Sequence, residues 1–217
     1  MVGPEIKFCG LTRAADAACA AELGAGFVGA IFASGPRRID APSARAMFSG
    51  LADAPVRRVG VFGDISIDEM IRIADETKLH VLQLHAGGTA ERVRLLRARF
   101  NGEIWVVVRV MGAMPELLSE AVLSAVDAVV FDTAVGSRSG GTGVAFDWSG
   151  ASDSVRRTAE RSPVVLAGGL GPLNVQKAVR LIAPRVVDVS SGVESAPGIK
   201  DPELMRAFAI ATRSSED

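Results

Sequence analysis

Short, apolar, β-branched runs alternate along the chain with stretches whose apolar residues recur at helical spacing. The first kind reads as strands and the second as helices. Strands are predicted at about 5–9, 27–32, 58–62, 80–85, 104–109, 126–132, 163–167 and 186–190. Helices are predicted near 13–23, 42–50, 67–76, 89–99, 115–123, 150–160, 171–182 and 201–212. Within the first strand, Ile6 and Phe8 alternate with Lys7 and Cys9, so the lysine and the thiol share one face. Gly10 then permits a sharp exit, and Thr12 suits a helix N-cap.

The strand ends fall at Cys9, Phe32, Phe62, His85, Arg109, Asp132, Ala167 and Ser190, about 23 to 35 residues apart. One strand plus one helix, eight times over, points to a parallel sheet, because each strand needs a crossover before the next. An eightfold repeat favours a closed (β/α)8 barrel over an open sheet. Residues 1–217 then form one barrel domain, with no linker in view and with short loops. Arg58–Phe62 and Val106–Val108 are too uniformly apolar for half-exposed strands, as expected when both faces are covered. Ser66 and Glu69 form a capping box, flanked by Ile65 and Met70 as a hydrophobic staple, and Leu23-Gly24 closes the first helix. Two connections are longer than the rest. One is 33–38 and the other runs from Thr133 to Phe146 through Gly140-Gly141-Thr142-Gly143. Both follow strands, on the rim where such barrels place their chemistry.

Composition narrows the possibilities. Hydrophobic residues make up 48% of the chain, and the mean hydropathy is +0.28, yet no run approaches the ~18 residues of a membrane span. The net charge of -1 gives no electrostatic reason to expect nucleic acid or an anionic membrane as partner. Met1–Glu5 has no basic region followed by an apolar one. Cys9 and Cys19 make neither a zinc spacing nor a disulfide framework, so a reducing, cytoplasmic setting with free thiols and no metal or other cofactor is expected.

Projected onto the rim, Cys9, Arg37, His85, Arg109, Asp132, Gly168-Gly169 and Ser191-Gly192 gather around one mouth. The glycine-bearing loops after the seventh and eighth strands suit phosphate, which backbone N–H groups and helix N-termini can hold. Cys9 is either a small buried hydrophobe or a thiol placed for chemistry. In the second case it needs a nearby cation, for which Lys7 is the candidate. Lys7 and Asp188 are expected to pair inside the barrel, since a buried lysine needs a partner. Asp132, ending an apolar strand at the rim, is an acid/base group or a cap. Asp127 and Asp147 suit capping or turns. Arg37 and Arg38 offer forks for carboxylates but are commonly just solvated in loops. His85 divides between ligand contact and a satisfied structural role. Cys19 and Trp148 read as packing.

Taken together, these motifs resemble the phosphoribosylanthranilate isomerases of tryptophan biosynthesis over nearly the whole chain. The resemblance rests on Lys7–Thr12, Pro36–Ile39, Val59–Phe62, Gln83–His85, Phe131-Asp132, Gly140–Gly143 with Phe146–Trp148, Ala167–Leu170 with Asn174-Val175, and Asp188–Glu194 with Pro197–Asp201. It implies a (β/α)8 barrel and an Amadori rearrangement of N-(5-phosphoribosyl)anthranilate to 1-(2-carboxyphenylamino)-1-deoxyribulose 5-phosphate. It further implies Cys9 as general base, Asp132 as general acid and Arg37 on the anthranilate carboxylate. Gly168, Gly169, Ser191, Gly192 and His85 complete the expected contacts to a small phosphorylated substrate, in a monomer or homodimer. The chain departs from the family pattern at Gly35, where a serine is common, at Ala86, where a glycine is, and at Gly63-Asp64. The related ketol-isomerases of histidine biosynthesis use two aspartates, and Cys9 stands where one of them would be. A binding protein for phosphorylated metabolites would need neither Cys9 nor Asp132.

Overall fold

A computed structural model describes residues 3–110, 118–132 and 148–214, the side chains of 148–153 excepted. In chain order the elements are β1 (Glu5–Phe8), α1 (Ala14–Glu22), β2 (Phe27–Ile31), α2 (Ala41–Ser49), β3 (Arg57–Phe62), α3 (Ile67–Thr77), β4 (Val81–Leu84) and α4 (Ala90–Arg97). Then follow β5 (Glu103–Arg109), α5 (Glu120–Leu123), β6 (Ala128–Asp132), α6 (Trp148–Ala159), β7 (Val164–Ala167), α7 (Val175–Ile182), β8 (Val186–Val189), a short hairpin of β9 (Glu194–Ala196) and β10 (Ile199–Lys200), and α8 (Pro202–Arg213). Strands β1 to β8 form a closed parallel barrel in sequence order, with β1 hydrogen-bonded to β8. The expected (β/α)8 architecture is therefore present. Among the described residues no helix is long and apolar enough to cross a membrane.

Strand alternation sends one set of side chains outward and the other inward. Ile6, Phe8, Val28, Leu82, Ile104 and Val187 face the helices and form the outer core. Phe27, Val59, Val81, Trp105, Ala128, Val130, Val165 and Val186 fill the barrel. Phe27 and Trp105 meet edge to face, with centroids 4.8 Å apart. Below them, at the strand N-termini, Arg57 bonds Glu5 and Glu103, and its guanidinium lies 3.8 Å from the Phe27 centroid. The bottom of the barrel is thus plugged, and a cavity opens at the opposite rim.

Several local expectations hold and others are corrected. Ser66 caps α3 by accepting from the Glu69 N–H at 3.2 Å. The reciprocal half of the box is replaced, because the Glu69 carboxylate is held by Arg72 at 2.7 and 2.9 Å. Thr12 does not cap α1. Arg13 occupies that position without a side-chain capping bond, and the Thr12 hydroxyl instead donates to the Gly198 carbonyl at 2.6 Å. Helix α7 starts at Val175 rather than near 171. Asn174 accepts from the Gly171 N–H and donates to the Gly169 carbonyl, both at 2.8 Å, and this side-chain ring displaces the first helical turn. Asp127, expected to cap or turn, instead accepts from the Ile104 N–H of β5 at 2.7 Å and pairs with Arg97. The Gly140–Gly143 motif and Asp147 lie outside the described residues, as do the side chain of Trp148 and the first part of the helix expected near 115–123.

Trp105 is fully buried at the centre of the barrel. Trp105→Ala is expected to lower stability by about 3–5 kcal/mol, read from the urea midpoint at unchanged slope.

Candidate active site

At the rim, β1 continues one residue past its last paired position. The Cys9 N–H still bonds the Val189 carbonyl at 2.8 Å, so the thiol is fixed by the β8 ladder. Neighbouring β2 carries Gly29. A Cβ there would stand 3.0 Å from Cys9 Sγ and 3.3 Å from Lys7 Cε, so glycine leaves both side chains room that any other residue would crowd. Below the thiol, Lys7 Nζ donates to Asp188 Oδ2 at 2.6 Å, and both groups are buried. The pairing expected from sequence is there. Burial pushes the Lys7 amine down, but the Asp188 carboxylate more than offsets it, and the lysine is held charged above its ordinary range.

This company does not produce a resting thiolate. Burial pushes the Cys9 thiol up, the Lys7 cation draws it only part of the way back, and Asp188 adds to the rise. The neutral thiol is therefore the resting form at neutral pH. Lys7 moderates the cost of ionising it without removing that cost.

Cys9, Arg37, His85, Asp132, Gly168, Gly169 and Ser191 all line one cavity of about 280 Å³ on the rim. Gln83, Asp188 and Ser190 line it too. Gln83 Oε1 and Asp188 Oδ1 are buried acceptors without a partner among the described residues. Gly192 stands just behind the wall. A Cβ on it would lie 1.9 Å from the Leu170 carbonyl, so the loops after β7 and β8 are in backbone contact and act as one structure. Gly168 and Gly169 have φ of 87° and 64°, a region that favours glycine. The N–H groups of Gly169, Ser191 and Gly192 make none of the described backbone–backbone bonds outside helices and strands. A tight double loop with outward amides is a suitable seat for an anion.

Asp132 ends β6, three strands from β1 by the shorter way round the barrel. His85 follows β4, and its ring is kept neutral: burial pushes it down, Arg109 and Lys7 add to the fall, and Asp132 opposes it. Arg37 is not a solvated loop residue. Its Nε and Nη2 donate to Glu194 at 2.8 and 2.6 Å, while Arg38 is exposed. Arg109 is exposed on the rim and does not line this cavity. Among the described residues, no group of His, Cys, Asp and Glu is arranged to hold a metal ion. Sequence reasoning gave no site role to Gly29, Gln83, Glu194 or Lys200. For Gln83 a signal existed, a polar residue in an otherwise apolar strand.

The N-(5'-phosphoribosyl)anthranilate isomerase family model matches residues 6–211. The chain belongs to that family. It is an isomerase, with the barrel that sequence pattern and resemblance both led one to expect. A tryptophan biosynthesis protein TrpCF from Yersinia pestis is 41% identical over 212 residues, covering 96% of this chain and 41% of that longer protein. The phosphoribosylanthranilate isomerase of Thermotoga maritima superposes with a TM-score of 0.82 at 31% identity, covering 98% of each chain. Another solved isomerase of the family, in complex with reduced 1-(o-carboxyphenylamino)-1-deoxyribulose 5-phosphate, gives a TM-score of 0.78 at 30% identity, again covering 98% of each chain.

Breaking the buried pair under the thiol has two expected effects. Lys7→Met leaves the Asp188 carboxyl buried without its partner, and should cost about 3–5 kcal/mol of stability in urea unfolding. In the folded variant, the pH profile of Cys9 alkylation should move to higher pH, because the cation that favours the thiolate is gone.

Proposed function

We propose that this isomerase converts N-(5-phosphoribosyl)anthranilate to 1-(2-carboxyphenylamino)-1-deoxyribulose 5-phosphate, with Asp132 as general acid and Cys9 as general base. The reading is carried by the convergence of both groups with the two glycine loops on one cavity. The substrate is an anion at both ends. Its phosphate takes the N–H groups of Gly169, Ser191 and Gly192, beside Gly168, and its anthranilate carboxylate takes Arg37. Anchoring both ends fixes the reacting carbons between acid and base.

Asp132 protonates the furanose ring oxygen as the C1–O bond breaks, and the anilino nitrogen supplies the electrons that form a cationic Schiff base. Cys9 then takes the proton from C2. The electrons of that C–H bond pass to the C1–N unit and give an enolamine, which tautomerises to the ketose. Nothing is gained or lost overall. The neutral imidazole of His85 and the acceptors of Gln83 and Asp188 are placed for sugar hydroxyls and for orientation. We further propose that residues 1–217 work as one catalytic domain in the cytoplasm, as monomer or homodimer, on a small phosphorylated substrate without nucleic acid, membrane or cofactor.

The raised thiol shapes the pH dependence. The productive pair, thiolate with carboxylic acid, carries one proton, and a pair that has lost that proton is inactive. That loss occurs as the buried thiol titrates, above the ordinary thiol range. The expected kcat/KM is level through neutral pH and falls on the alkaline side. A steady alkaline rise would exclude Cys9 as a base working with Asp132 as an acid.

A coupled assay on freshly generated substrate tests the roles directly. Cys9→Ser and Asp132→Asn should each lower kcat by roughly 10²–10⁴-fold with the circular dichroism spectrum unchanged. Turnover near the wild-type rate in either variant removes that residue from the mechanism.

A further inference from the structure

Glu194 and Lys200 stand opposite each other across the β9–β10 hairpin, a register that puts both side chains on the same face. Their side chains are only 5% and 0% exposed. Both oxygens of Glu194 are engaged. Oε1 accepts from Arg37 Nε at 2.8 Å, Lys200 Nζ at 2.9 Å and the Gly198 N–H at 3.3 Å, and Oε2 accepts from Arg37 Nη2 at 2.6 Å. Lys200 Nζ also donates to the Ser190 carbonyl at 3.0 Å. Burial pushes the Glu194 carboxyl up, but the bonds from Arg37 and Lys200 outweigh it and hold it below the usual range, charged.

The geometry of the guanidinium gives this cluster a purpose beyond stability. Arginine presents five N–H groups in a planar fork with more than one bidentate edge. Glu194 occupies the edge made by Nε and Nη2, while Nη1 makes no hydrogen bond to a described residue. The remaining edge belongs to a residue that lines the cavity. The arginine stem is held as well, since a Cβ on Gly10 would lie 2.7 Å from Arg37 Cδ. Two cations share one carboxylate, so the cluster keeps a residual charge of about +1 at the cavity wall. An ion pair that only tied the hairpin down would need neither the leftover edge nor the leftover charge.

We propose that Glu194, backed by Lys200, is a positioning residue that presents the Nη1 edge of Arg37 to the substrate carboxylate and so selects carboxylate-bearing phosphoribosyl amines over those without one. The inference rests on the reading of Arg37 given above and adds to it the device that sets its orientation.

The test compares N-(5-phosphoribosyl)anthranilate with carboxylate-free N-(5-phosphoribosyl)aniline in wild type, Arg37→Ala, Glu194→Gln and Glu194→Asp. Wild type should favour the anthranilate in kcat/KM, and Arg37→Ala should lose that preference. Glu194→Gln should reduce it roughly tenfold to hundredfold. The change should lie mainly in KM for the anthranilate, with KM for the aniline unmoved. Glu194→Asp keeps a charge for Lys200 but is too short to hold both Arg37 bonds, and should shift the preference the same way. That second variant gives the answer if the glutamine variant does not fold. If both Glu194 variants keep the wild-type preference while Arg37→Ala loses it, the cluster only braces the hairpin and this inference fails alone. If wild type shows no preference, or Arg37→Ala keeps it, the reading of Arg37 fails and the inference fails with it.

Discussion

The buried contact between Lys7 and Asp188, 2.6 Å long, is the interaction on which the rest of the structure turns. It joins the first strand to the last at the register that closes the barrel. Desolvating two charges is expensive, and a well-packed apolar pair could be as stable. A neutral floor of that apolar kind, however, would leave the thiol above it without the cation that draws it down most. The observed pair instead gives Cys9 a nearby positive charge while adding almost no net charge to the cavity. The field seen by an anionic ligand is then left to Arg37, Lys200 and the loop amides, at the two ends of the site rather than in its middle.

The fold and the residues proposed as acid and base were legible for a simple physical reason. A parallel strand covered on both faces is an apolar run, and a polar residue at its end stands out against it. Cys9, His85 and Asp132 were found in that way. Lys7 and Asp188 could even be matched, since two charges in neighbouring apolar strands have no other recourse. The loops after β7 and β8 were visible through their glycines, though not the contact by which Gly192 locks against Leu170. Gly29 was hidden because its role is to lack a side chain beside another strand's thiol.

What the sequence concealed is concentrated in the β9–β10 hairpin. Strands of three and two residues are too short for alternation to register. Their partners are remote: Arg37 lies 157 positions from Glu194, and Thr12 lies 186 from Gly198. Thr12 looked like a cap because local chemistry favours one, and a distant carbonyl took its hydroxyl instead. Arg37 looked solvated because its counter-ion was absent from its own neighbourhood in the chain.

The tie between Thr12 and Gly198 has a consequence for the order in which the protein is made. Cys9 is synthesised well before the groups that enclose it. Its strand partner Val189, and the hairpin that holds the neighbouring arginine, are synthesised about 180 to 190 residues later. Long-range pairings of this kind must await chain closure. During synthesis the β8-facing side of the first strand is therefore an unpaired edge, and the segment from β8 through the hairpin both shields that edge and completes the pocket.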